Sequence, residues 1–247
     1  MNDKPKEQPD KHDFADVDPL RDTYRRSITH VSAVRRSLEH HNTALLCIDM
    51  QYLDAARGHG VFASAETANM PAEAQDYYFE RLENIVLPNV ARLQAAFRAR
   101  QLEVIHTRIQ SLTQDGRERS PGHKRLGLHA PPGSREADFL ESVAPLDNEI
   151  VINKTASGVF NSTNIEYVLR NLQIDGLFVV GVYSNECVST AIRDACDLGF
   201  YVTLISDACA TVTPELQNAT ITTMTDRYAR VFTTEEAIAE LQAVVDL

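Results

Sequence analysis

The chain has 247 residues, 43% of them hydrophobic, enough for one sizeable core, so a single α/β domain is the simplest expectation. Its formal net charge of -11 argues against nucleic acid as a partner, and no apolar run reaches the length that would make a membrane one. The start, MNDKPKEQPDKHDF, is too polar for a secretory signal, and Cys47, Cys187, Cys196 and Cys209 form no Cys-x-x-Cys pair, so reduced thiols in a cytoplasmic protein are expected.

Residues 1–41 read as a polar N-terminal arm, with disorder expected over the first fifteen and the domain proper over residues 42–247. Thr43 to Asp49 (TALLCID) is a continuous apolar run closed by an acid, as for a central parallel strand. Asp49 at such a strand end either takes part in a site or caps its own loop. Gln51 to Asp76 is a long connection of the kind that forms lids or binding loops. Tyr77 to Arg100 has helical spacing through Leu82, Ile85, Val86, Val90, Leu93 and Phe97, with a break or kink expected at Pro88.

Leu102 to Thr107 is the second strand, with His106 and Arg108 at its end. The aperiodic, Gly- and Pro-rich stretch Ser111 to Ser134 reads as a surface loop. Glu149 to Asn153 is the third strand, followed at once by Lys154. That lysine either pairs with a buried carboxylate or snorkels to water. Leu177 to Val180 is the fourth strand, and Gly181 ends it. Ser184 or Asn185 is expected to cap the next helix, which runs through Val188, Ala191, Ile192 and Ala195. Cys187 then lies at a helix N-terminus, where the helix dipole lowers a thiol pKa. The alternative is a small buried hydrophobe. Tyr201 to Ile205 is the fifth strand, closed by Asp207, with Cys209 near the surface. Pro214 opens a helix, Arg230 to Phe232 is a short edge strand, and Thr234 caps the last helix.

Alternating strands and helices imply a doubly wound, six-stranded, mostly parallel sheet with helices on both faces and strand order 3-2-1-4-5-6. That order delivers Asp49, Lys154 and Cys187 to one edge. An acid, a lysine and a cysteine there make a nucleophilic site: Asp49 takes the thiol proton, Lys154 holds Asp49 ionised, and Cys187 attacks a carbonyl carbon.

Three blocks, ALLCIDMQ ending at Gln51, VINKTASGVF ending at Phe160 and GVYSNECVSTAIRDA from Gly181, resemble the isochorismatase-like cysteine hydrolases in order and spacing. The resemblance covers about Thr43 to Leu241. It implies the doubly wound fold, a homo-oligomer (dimer or tetramer), a triad on Asp49, Lys154 and Cys187, and a cis peptide between Val182 and Tyr183. It also implies an oxyanion hole from the Tyr183 and Cys187 N–H groups. The Tyr183 side chain either shapes the pocket or packs outward. Nicotinamidases of the family carry an Asp-x-His metal motif after the second strand. The matching HTRIQSLTQDG has none, so no metal and no other cofactor is expected. The region looks more like the carbamoyl and ureido amidase branch, such as N-carbamoylsarcosine amidase, biuret hydrolase and ureidoacrylate amidohydrolase. Arg108, Gln110, Phe160 and Asn161, with Tyr183, are then the candidates for binding substrate, or ordinary loop residues. The resemblance thus points to a metal-independent amidohydrolase acting on a small amide, carbamoyl or ureido compound. Its alternatives are vinyl-ether hydrolysis and a non-catalytic binding protein on the same scaffold.

Overall fold

A computed structural model describes residues 18–28, 31–63 and 70–244. The expectation of disorder over the first fifteen residues lies outside the described residues. Six strands, β1 (Thr43–Ile48), β2 (Glu103–Ile109), β3 (Ile150–Lys154), β4 (Gly176–Val182), β5 (Tyr201–Ala210) and β6 (Arg230–Phe232), form one sheet in the order 3-2-1-4-5-6. Every neighbouring pair is parallel. The chain reverses its direction of travel across the sheet between β1 and β4, and the crevice at that reversal is where open α/β sheets place ligands.

Each central strand is buried on both faces, and the two-residue alternation sorts its side chains between two cores. Leu45, Cys47, Phe178 and Val180 face one core, which takes in Leu82, Val90, Leu93, Phe97 and Leu241. Those residues come from α4 (Leu87–Ala99), the turn that joins it to α3 (Ala72–Arg81), and a C-terminal helix, Thr234–Ala243. Ala44, Leu46, Ile48, Leu177 and Val179 face the other core, with Ile165, Leu169, Val188, Ala191, Ile192 and Ala195. These lie on α5 (Ile165–Asn171), α6 (Ser189–Asp197) and the turn before α6. Burying a Leu, Ile, Val or Phe side chain contributes about 1.5–3 kcal/mol, so the two layers hold the strand ends in fixed register.

The N-terminal segment forms α1 (Arg21–Ile28) and α2 (Val31–Glu39). Val34 and Leu38, one helical turn apart, are buried in the first core, so packing begins before residue 42. Arg21 pairs with Asp226 at 3.3 Å. No helix among the described residues is long and apolar enough to cross a membrane.

Local departures from the sequence reading have identifiable causes. Pro88 does not break the helix. A π-turn over Leu82–Val86 precedes it, and Pro88 falls in the first turn of α4, where its missing N–H leaves no gap in the ladder. β5 runs past Asp207 to Ala210, with a register shift between Val179 and Gly181 of β4, so Cys209 is a strand residue 1% exposed instead of a surface thiol. Thr233, not Thr234, caps the C-terminal helix through a capping box with Glu236, while the Thr234 N–H and hydroxyl both donate to Asp207 at 2.8 Å.

Gly181 is where β4 comes nearest to β1. It has φ of 122°, and a Cβ there would lie 2.0 Å from the Ile48 carbonyl oxygen. Gly181→Ala is therefore expected to lower the urea midpoint far beyond the roughly ±0.5 kcal/mol of an ordinary surface change. A midpoint equal to that of the wild type would refute this account of the contact.

Candidate active site

Three strand ends converge at the switch point. Asp49 follows β1 and adopts φ of 55°, a left-handed conformation that Asp tolerates better than most residues. Its N–H donates to the Thr107 carbonyl at 3.0 Å, and the Thr107 hydroxyl donates to Asp49 Oδ1 at 3.1 Å. Lys154 is the last residue of β3, and its Nζ lies 2.8 Å from Asp49 Oδ2. The same ammonium donates to the Ala156 carbonyl at 3.0 Å and to Cys187 Sγ at 3.3 Å. A lysine ammonium has three donors, and here three acceptors surround it. The Asp49 and Lys154 residues are 0% exposed and Cys187 is 5% exposed.

Cys187 sits in a π-turn, Ser184–Val188, that leads into α6. Ser184 and Asn185 do not cap this helix as their residue types suggest. The Ser184 hydroxyl donates to Gln217 Oε1 at 2.7 Å, and Asn185 Oδ1 accepts from the Thr211 hydroxyl. The Tyr183 carbonyl accepts from the Glu186 and Val188 N–H groups at 3.1 and 3.2 Å, which sets the wide turn. The Val182–Tyr183 peptide is cis, at the position the family resemblance implies.

The electrostatics differ from a simple helix-terminus thiolate. Burial pushes the Cys187 thiol up from its ordinary value. Lys154 pulls it back, but Asp49 and Asp54 push the same way as burial, and the net shift is upward. Burial, the first influence on Cys187, acts against the lowering expected at a helix terminus. Burial also works against the Lys154 ammonium, yet the attraction of Asp49 and Cys187 outweighs it and Lys154 stays above its ordinary range. The arrangement sets a thiol whose pKa is raised beside a buried ion pair.

An isochorismatase domain matches residues 43–236. The chain belongs to the isochorismatase family. It is 27% identical over 167 residues to N-carbamoylsarcosine amidase of an Arthrobacter species, a match covering 64% of this chain and 62% of that protein. It is 31% identical over 90 residues to a ureidoacrylate amidohydrolase of Agrobacterium fabrum, covering 36% of this chain and 40% of that one. The match to the first of these spans less than two thirds of its length. The fold resembles that of a cysteine hydrolase from Pseudomonas syringae pv. phaseolicola, with a TM-score of 0.66, 24% identity and coverage of 83% of this chain and 94% of that one.

The other sites expected of this isochorismatase-family chain are placed less uniformly. The Gln110 N–H donates to the Lys154 carbonyl at 3.1 Å, so Gln110 stands beside the cluster. Arg108 is directed elsewhere: it donates to Asn153 Oδ1 at 2.8 Å and to the Ala137 carbonyl at 2.9 Å, and lies over the Phe139 ring. Phe160 packs against Phe200, with ring centroids 6.0 Å apart. Asn161 is exposed, and its Oδ1 lies 2.8 Å from where a Gly158 Cβ would stand, so it folds back over its own turn. Tyr183 packs inward: its ring is 5.2 Å from that of Tyr78, and its hydroxyl donates to the Asp54 carbonyl at 3.1 Å.

Two residues at the site escaped the sequence reading. Asp54, in the short helical turn Tyr52–Ala55, is 3% exposed and lies within electrostatic range of Asp49 and Lys154. His123 comes from the aperiodic loop, where the Ser120 N–H donates to the Thr155 carbonyl at 2.9 Å and draws a helical turn against Lys154. Its imidazole is 2% exposed. Burial first, and then the Lys154 charge, push it down to about 4, so it is neutral at pH 7. The available signal was a polar residue type inside a connection with no periodicity, which singles out nothing.

Lys154→Met is expected to leave Asp49 buried without its counter-charge and to cost about 3–5 kcal/mol of stability, measured by urea unfolding. A loss under about 1 kcal/mol would show that the pair does not hold the site together.

Proposed function

We propose that this isochorismatase-family hydrolase is a cysteine amidohydrolase that releases ammonia from a small amide, carbamoyl or ureido compound. The observation that carries the reading is the buried contact set in which Lys154 Nζ lies 2.8 Å from Asp49 and 3.3 Å from Cys187 Sγ. The names of the two relatives, an amidase and an amidohydrolase, support the same class.

Cys187 Sγ attacks the carbonyl carbon while Asp49 takes the thiol proton. The buried thiol is neutral until a substrate arrives, so proton removal and attack belong together. The carbonyl π electrons move to oxygen, and the Tyr183 and Cys187 N–H groups receive the oxyanion. Lys154 remains beside the sulfur and offsets the negative charge moving through the cluster. As the tetrahedral centre collapses, the C–N bond breaks and Asp49 returns its proton to the leaving nitrogen, giving ammonia and a thioester. Water then adds to the thioester while Asp49 takes its proton. The second collapse breaks the C–S bond and sends that proton back to sulfur, releasing the acid product.

The test is ammonia release across a panel of small ureido, carbamoyl and carboxamide compounds. Cys187→Ala is expected to abolish release on any active compound while the far-UV circular dichroism and melting temperature are retained. Release by purified Cys187→Ala would sink the mechanism. A second expectation follows from the raised thiol. Iodoacetamide should label Cys187 faster as pH rises through 7 and 8, with no plateau below the ordinary thiol value of 9.0. A plateau near pH 6 or 7 would mean a preformed thiolate instead.

A further inference from the structure

The carboxyl of Asp54 is the polar group at the site that the mechanism does not use. Its place is built with some care. The Asp54 N–H donates to the Gln51 carbonyl at 3.3 Å, and its own carbonyl accepts from the Tyr78 hydroxyl at 2.6 Å and the Tyr183 hydroxyl at 3.1 Å. Both tyrosine hydroxyls, the natural partners for a buried carboxyl, are thereby spent on the backbone. Oδ2 is buried with no hydrogen-bond partner among the described residues. A buried polar atom without a partner is costly, and natural folds keep one mainly where something else completes it.

What surrounds this carboxyl says what that something is. It lies within electrostatic range of Asp49, Lys154, Glu186 and the Cys187 sulfur, and the Tyr183 hydroxyl that holds its backbone carbonyl ties it to the residue from which the Cys187 turn starts. Glu186 stands on the solvent side of the same turn. Burial first, and then the Asp49 charge, push Asp54 well above the usual carboxylate range. A protonated carboxyl offers one O–H donor and one C=O acceptor side by side, the complement of the C=O and N–H edge of an amide or urea. A substrate carboxylate would instead meet the Asp49 charge, with Glu186 on the turn that carries Cys187 and Lys154 committed to three acceptors.

We propose that Asp54 is a specificity-determining residue that pairs with a second amide-type edge of the substrate, so that the site takes neutral ureido or carbamoyl compounds in preference to ureido acids. This rests on the amidohydrolase reading for the chemistry but can be tested without turnover.

The probes are N-carbamoylglycine and its N-methylamide, which share one skeleton and differ in carrying a carboxylate or an N–H-bearing amide. Binding of each to the full-length Cys187→Ala protein is measured by calorimetry. The N-methylamide is expected to bind at least about tenfold more tightly than the acid. In Cys187→Ala/Asp54→Leu the ratio should fall to about one, while the melting temperature does not drop, because Leu repeats the branched skeleton of Asp and leaves no polar atom unpaired. Cys187→Ala/Asp54→Asn is the second variant: it keeps the shape and one donor and one acceptor, so it should retain most of the preference. Equal or tighter binding of the acid, no binding of either probe, or a preference that survives Asp54→Leu would each overturn the proposal. If the binding preference holds but the wild type releases no ammonia, the amidohydrolase reading fails and the assignment of Asp54 stands.

Discussion

The ion pair between Lys154 and Asp49 is the constraint that the rest of the site answers to. The two residues belong to β3 and β1, which are not neighbours, since β2 lies between them. Adjacent strands are about 4.8 Å apart, so the pair must bridge roughly twice that distance. It does so because the lysine stem is long and because Thr107, on the intervening strand, fixes the Asp49 carboxylate with its hydroxyl. The registers Ile48↔Thr107 and Ile109↔Lys154 put all three residues at the same edge of the sheet. Two charges with essentially no exposure survive there only because each is satisfied: the ammonium by Asp49, Ala156 and Cys187, the carboxylate by Lys154 and Thr107. The sheet thus does more than display the site. Its strand order makes a buried ion pair geometrically possible, and its two cores keep water from competing for it.

That division explains what was legible before the structure. Strands buried on both faces must be apolar at nearly every position, so TALLCID and LFVVG announced themselves, and alternation with helices implied the sheet order. A charged residue that abruptly closes such a run is equally conspicuous, which is why Asp49 and Lys154 could be picked out. Features set by hydrogen-bond phase left no such mark. The π-turns at Leu82–Val86 and Ser184–Val188, the extra length of β5, and the shift of the last cap from Thr234 to Thr233 each depend on which carbonyl an N–H finds, and residue type does not specify that.

The substrate-side residues show the same limit from the other direction. Arg108 has the chemistry to bind an anion, but the strand pairing sets it beside Asn153, and its Nε and Nη1 donate to Asn153 Oδ1 and the Ala137 carbonyl. Asp54 and His123 sit in segments without periodicity, yet Tyr78, Tyr183 and the Ser120–Thr155 bond carry them toward Asp49 and Lys154. In both cases the decisive fact is a contact between residues far apart in the chain, which residue type does not specify.

The thiol ties these threads together. A cysteine at the start of a helix invites the conclusion that it rests as a thiolate. In this protein the same exclusion of water that strengthens the Lys154–Asp49 attraction raises the cost of a second anion nearby, and the Asp49 carboxylate raises it further. A resting thiolate would need Lys154 to serve two anions at once in a space that desolvates both. Keeping the proton on sulfur avoids that until a carbonyl carbon is present to take up the electron pair. In the proposed reaction the negative charge then passes from carboxylate toward substrate oxygen, and the total within reach of Lys154 stays at one.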